Sequence, residues 1–132
     1  MVNKMSYNKI IGDLGEAAVR KLIRKKHYRI LEKNYVSKYG EIDIIARHKN
    51  TLIFIEVKTR TSKMYGGAIG AVNFHKRHNI ILTSQVYMRN IGYTGQRRYD
   101  IAEVYLDENE KVSEINYIEN GFPWEGHKHG NW

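Results

Sequence analysis

The run Ile53-Phe54-Ile55-Glu56-Val57 is apolar enough for a central strand covered on both faces, yet it carries a carboxylate and is followed by Lys58. Strand side chains alternate, so Glu56 and Lys58 share one face while Ile55 and Val57 take the other. Asp43 sits in the preceding segment, Glu41-Ile42-Asp43-Ile44-Ile45-Ala46, whose composition is also that of a strand. Between them the polar Arg47-His48-Lys49-Asn50 reads as a turn, and Thr51 to Thr59 as the returning strand of a hairpin. Two acids and one amine therefore converge on an otherwise hydrophobic face. Burying a charge costs several kcal/mol per ion unless it is paired or binds a metal.

Two explanations are open from the residues alone. An ion pair of Lys58 with Glu56 or Asp43 is structural and leaves the second acid unneutralised. Alternatively, two acids presented to one hard cation suit Mg²⁺ or Mn²⁺, which take oxygen ligands and keep several waters. The chain has no cysteine, and no histidine cluster accompanies the hairpin, so a zinc site has no obvious ligands.

The rest of the 132 residues reads as one domain over 1–122 with a tail over 123–132 that has little reason to fold. A first helix is expected over about 8–26, capped by Asn8, with Ile11, Leu14, Ala18 and Leu22 as its apolar stripe. Glu16 then lies roughly 140° from the centre of that stripe, at its margin. Gly12 and Gly15 would let the helix approach the sheet. Tyr28 to Tyr35 reads as a strand. Tyr65-Gly66-Gly67 and Gly70 mark a loop, and a second helix is expected over about 73–90, with Ile80, Ile81, Ser84 and Tyr87 facing inward. Strands over about 98–106 and 112–118 flank a turn at Asp107-Glu108-Asn109-Glu110. This order predicts an α/β fold, a mixed sheet with a helix on each face.

Lysine and arginine total 22 against 14 acids, a formal +8, which draws the chain towards polyanions. No apolar run approaches the roughly 20 residues needed to span a bilayer, and the first residues lack the apolar stretch of a secretory signal, so a cytoplasmic location without membrane partners is expected. His127 and His129 form an H-x-H pair in the tail, too few ligands for a metal site. Trp124 and Trp132 suit either base stacking or docking of the tail on its own domain. Arg97 and Arg98 suit phosphate contact or a solvated pair.

The blocks Gly40-Glu41-Ile42-Asp43-Ile44-Ile45-Ala46 and Phe54-Ile55-Glu56-Val57-Lys58-Thr59-Arg60, together with Gly15-Glu16, Tyr65-Gly66-Gly67-Ala68, Lys76 and Arg98-Tyr99-Asp100-Ile101, resemble the YraN family. That family is related to archaeal Holliday junction resolvases within the PD-(D/E)xK, restriction-endonuclease-like superfamily. The likeness covers most of the chain beyond the first ten residues or so. His27 departs from the glycine usual after the first helix, and Val19 and Ser84 stand where small alanines are usual. The resemblance implies a restriction-endonuclease-like sheet flanked by helices and a metal-dependent endonuclease. It implies Glu16, Asp43 and Glu56 as ligands of Mg²⁺ or Mn²⁺, with the backbone carbonyl of Val57 as a further ligand. Lys58 would orient the attacking water and stabilise charge on the phosphate. Glu41 would be an outer ligand, and Arg60, Lys76 and Arg98 would contact nucleic acid. DNA, branched or junction DNA in particular, is the implied substrate, RNA staying open, and a two-fold substrate invites a homodimer. A nucleic-acid-binding protein that keeps this fold without significant catalysis is the competing expectation.

Overall fold

The computed structural model describes residues 3–61 and 73–124. Helix α1 spans Lys4–Lys25, and strands β1 (Arg29–Ser37), β2 (Gly40–His48) and β3 (Thr51–Arg60) follow. Helix α2 spans Phe74–Ile91, and β4 (Gln96–Leu106) and β5 (Val112–Ile118) complete the chain. The five strands lie in sequence order in one sheet. Pairing is antiparallel except between β3 and β4, which run parallel. A parallel pair needs a crossover, and α2 lies within the connection that supplies it. The sheet is thus mixed, with one helix on each face, as the order of elements predicts.

Each face carries its own core. Ile11, Val19 and Ile23 of α1 pack on Ile44, Ile53, Ile55, Ala102 and Val104. On the other face Ile80, Ile81 and Tyr87 of α2 pack on Ile45, Leu52, Phe54 and Tyr99. The alternation Leu52, Ile53, Phe54, Ile55 feeds the two cores in turn, which is why β3 is nearly all apolar.

Helix α1 corrects two expectations. It begins at Lys4, because the Asn3 side chain, not Asn8, caps it by accepting from the Ser6 amide at 2.8 Å. Its buried stripe is Ile11, Gly15, Val19 and Ile23, so Leu14 is 39% exposed and the helix is rotated by about one position from the predicted stripe. The cause is Gly15: a Cβ there would fall 1.8 Å from Thr59 Oγ1 of β3. Only a residue without a side chain allows this approach. Gly12, in contrast, has nothing within 4 Å. After α1, His27 adopts a left-handed φ of 67°, the conformation that a glycine takes at no steric cost.

The hairpin turn is also tighter than expected. β2 runs to His48 and β3 starts at Thr51, leaving Lys49 and Asn50, with Lys49 left-handed at φ 56°. At the far end of the chain, Phe122 is buried and Trp124 packs against the α2-side core. Its indole lies under the Arg97 guanidinium at 4.1 Å. The expected glycine-rich loop at residues 65–70 and the tail residues 125–132, His127, His129 and Trp132 among them, lie outside the described residues.

Candidate active site

The ladder between β2 and β3 has Ile44 opposite Ile55 as its last pair on this side. One step further in the same register would set Asp43 against Glu56, two like charges across one rung. Here the regular alternation of β2 breaks. Ile42 belongs to the α2-side core, whereas Ile44, two residues on, belongs to the α1-side core. At the break the Asp43 carboxylate accepts from the Val57 amide through Oδ2 at 2.7 Å. Val57 thus enters the site through its amide, and its side chain packs on the α1-side core.

Asp43 is held protonated by its surroundings. Burial is the main cause, and a hydrogen bond and charge repulsion from Glu56 add to it. The Val57 amide offsets them only in part, and the pKa of the Asp43 carboxyl is pushed up to about 9. Asp43 therefore keeps a proton that lies between it and the Glu56 carboxylate on a sheltered face. Glu56 is only 6% exposed, and among the described residues its Oε2 has no hydrogen-bond partner. Among the described residues, the cation that reaches this oxygen is the Lys76 ammonium of α2, at 3.4 Å.

Glu16 and Glu41 stand beside this pair, not within it. The Asn34 amide nitrogen donates to Glu16 Oε1 at 3.1 Å and to Glu41 Oε1 at 2.9 Å, bridging the two. Asn34 has a left-handed φ of 51° and falls between the pairs Lys33 with Ile44 and Tyr35 with Ile42, opposite Asp43. Burial raises the Glu16 carboxyl above its ordinary range and the Asn34 bond partly offsets this. The negative charge of Glu16 in turn contributes to raising Asp43. Among the described residues no three His, Asp or Glu side chains gather closely enough to hold a metal. The structure thus brings Asp43 and Glu56 together and leaves Glu16 adjacent. The rotation of α1 places Glu16 about 80° from the true stripe centre, nearer the sheet than expected.

Two acids still fit Mg²⁺ or Mn²⁺. Such ions use one or two carboxylates and fill the remaining positions with waters, and Glu56 Oε2 is a buried oxygen with a lone pair to offer. Lys58 is half-buried and, among the described residues, makes no hydrogen bond or ion pair. The ion pair that would have explained it structurally is therefore not the one formed. Arg60 follows in the same alternation, its guanidinium on the Thr59 carbonyl at 3.4 Å.

Arg98 lies elsewhere. Its guanidinium makes a two-pronged contact with Asp100, at 2.8 Å from Nε and 2.8 Å from an Nη, and also reaches the Tyr28 hydroxyl. Asp100, fully buried, accepts further from the Tyr117 hydroxyl at 2.6 Å and the Asn120 amide at 3.0 Å. This hub ties β4 to β5, and Arg98 pairs with Ile53, five residues before Lys58. It serves as a fold staple there and is not brought to the acid pair. A hollow of about 620 Å³ beside Thr51, Arg97 and Trp124 opens at that same distant end.

One acid escaped the sequence reading. Glu103 is 7% exposed in β4, stands opposite Lys58 in the parallel register and accepts from the Asn116 side chain at 2.8 Å. The signal was present: Ile101-Ala102-Glu103-Val104 shows the same charge inside an apolar strand as Ile55-Glu56-Val57.

The architecture, a five-stranded mixed sheet between two helices with the acid pair on neighbouring strands, is compatible with a restriction-endonuclease-like fold. The chain belongs to Uncharacterised protein family UPF0102, the YraN family, whose pattern matches residues 15–104. It is 45% identical over 116 residues to a UPF0102 protein of Caldanaerobacter subterraneus subsp. tengcongensis, covering 86% of this chain and 95% of that one. A UPF0102 protein of Clostridium botulinum strain 657 is 42% identical over 87% of this chain and 95% of its own length. One of Alkaliphilus metalliredigens is 40% identical, over 87% and 99% respectively. Among the described residues, no helix is long and apolar enough to cross a membrane.

Proposed function

We propose that this protein is a metal-dependent endonuclease that hydrolyses phosphodiester bonds in DNA, with branched or junction DNA as the preferred shape. The observation that carries the proposal is the placing of Asp43 and Glu56 together on neighbouring strands: among the described residues the buried Oε2 of Glu56 has no hydrogen-bond partner, and Lys58, next on the same strand face, makes no hydrogen bond or ion pair. A structural ion pair does not need a second, half-buried acid beside it, and this site has one in Asp43.

When bound, Mg²⁺ or Mn²⁺ supplies Lewis-acid polarisation of a phosphoryl oxygen and a more acidic water. Asp43 and Glu56 would hold the cation, with the Val57 carbonyl and Glu16 as the further ligands that the family resemblance implies. Lys58 places an ammonium where charge develops on the phosphate and positions the attacking water. Arg60 offers a guanidinium for the neighbouring phosphate. The net charge of +8 favours a polyanion as substrate.

A second reading is supported by a specific observation: the three acids Glu16, Asp43 and Glu56 do not gather, and Lys76 sits on Glu56. On that reading the protein binds nucleic acid without turning it over. Wild type, Asp43→Ala and Lys58→Met assayed on branched, flap and linear DNA and on RNA, with Mg²⁺ or Mn²⁺, separate the two. The endonuclease reading expects cleavage by wild type and a loss of about 10²-fold or more in either variant. If all three proteins are equally inert, yet bind DNA in a salt-dependent way without metal, the binding module is correct.

A further inference from the structure

Lys76 occupies an unfavourable position for a cation. It lies in the first turn of α2, where the helix dipole opposes positive charge, and that turn holds no acid. The turn is nevertheless fixed, since the Asn73 side chain accepts from the Lys76 amide at 2.8 Å. The compensation is Glu56: the ammonium stands 3.4 Å from Oε2, the same oxygen that has no hydrogen-bond partner among the described residues. The two partners differ sharply in exposure. The Glu56 side chain is 6% exposed and cannot leave, whereas that of Lys76 is 47% exposed and can swing into solvent at little cost.

We propose that Lys76 is a tethered stand-in for the divalent cation: its ammonium neutralises Glu56 in the metal-free protein, must be displaced when metal binds, and is thereby released to meet a phosphate oxygen. The inference rests on the metal-dependent reading of the site and adds its regulation. Metal occupancy and grip on the substrate are coupled through one exchangeable lysine. The chain needs no conformational change larger than a side-chain rotation for this. The lysine also keeps two neighbouring carboxyl groups folded together while no metal is present, at the expense of metal affinity.

Competition sets the expected size. Even with the full dielectric of water, a unit charge 3.4 Å from the carboxylate corresponds to roughly tenfold in binding of a competing cation. Mn²⁺ binding followed by the paramagnetic resonance of the free ion, with no nucleic acid present, tests it on wild type, Lys76→Gln and Glu56→Gln. Lys76→Gln is expected to bind Mn²⁺ about tenfold more tightly than wild type, and Glu56→Gln to lose binding. Equal affinity of wild type and Lys76→Gln overturns the stand-in role while leaving the metal site intact. Absence of Mn²⁺ binding by both sinks the metal-dependent reading itself, a distinguishable result. A second measurement uses the unmodified protein: acetylation of Lys76 by acetic anhydride, read by mass spectrometry, should rise severalfold on adding saturating Mg²⁺. A lysine held only by a structural ion pair would show no rise, and that result also overturns the proposal.

Discussion

Replacing Asp43 by Asn should make the metal-free protein more stable while destroying its site. The amide is nearly isosteric: its oxygen can still accept from the Val57 amide, and its nitrogen can donate to Glu56 as the shared proton does now. What changes is the cost of that proton. A free aspartyl group titrates near 4, so at pH 7 keeping Asp43 protonated costs about 1.4 kcal/mol for each of roughly three pH units, an upper bound of ~4 kcal/mol. Asp43 is only partly buried, and screening reduces the expected gain for Asp43→Asn to about 2 kcal/mol. For a domain of this size that is roughly 6–8 °C in Tm. The pH dependence follows from the sign. The folded-state pKa of Asp43 is raised, so the stability of the wild type is full below about pH 4 and is lost progressively as pH rises towards about 9. The difference between variant and wild type should therefore vanish near pH 4 and grow across that window. Thermal unfolding followed by circular dichroism at pH 4, 7 and 9, with chelator present, measures it. On the metal-dependent reading, excess Mg²⁺ should then raise the Tm of wild type alone, since only it keeps both carboxylates that would hold the ion. A variant less stable than wild type at pH 7, or a gain that does not change with pH, would refute the shared proton.

Gly15 and Gly12 should respond oppositely to alanine. At Gly15 the new Cβ meets Thr59 Oγ1 at 1.8 Å and its Cβ at 2.9 Å, so overpacking of ~1–3 kcal/mol outweighs the ~0.5–1 kcal/mol gained in helix propensity. At Gly12 the space is open and only the gain remains, a contrast that urea unfolding of the two variants measures. Asp100→Asn should cost about 3 kcal/mol by removing the buried counter-charge of the Arg98 guanidinium, which leaves only the exposed Glu119 carboxylate at 3.9 Å. Mn²⁺ affinity should be unchanged in that variant, because Asp100, level with Ile55, faces the α1 side of the sheet whereas Glu56 faces Lys76 on the α2 side; a change in affinity would mean that Arg98 and the acid pair are coupled.

What could be read from the sequence was incongruity within a single element. Glu56 among Ile53, Phe54, Ile55 and Val57 is conspicuous because a strand buried on both faces has no place for an unpaired charge, and the structure does bury it. The short hairpin made Asp43 its neighbour, since two adjacent antiparallel strands leave little freedom of register. The mixed sheet followed from the order of elements for the same local reasons. Partners drawn from elsewhere in the chain were not legible. Lys58, two residues from Glu56, looked like its natural counter-ion, yet the ammonium that reaches Oε2 is Lys76, brought by a helix that begins 18 residues after Glu56. The stripe of α1 was misplaced because hydrophobic counting ranks Leu14 above Gly15, whereas contact with Thr59 demands the absence of a side chain. Asn34 was invisible because bridging Glu16 and Glu41 depends on a left-handed backbone that an asparagine permits but does not announce. Arg98 followed the same logic in reverse: its charge suggested a phosphate, and burial of Asp100 two residues on claimed it first. A buried acid thus marks where a cation is needed, and only the packing of the remaining elements decides which cation arrives.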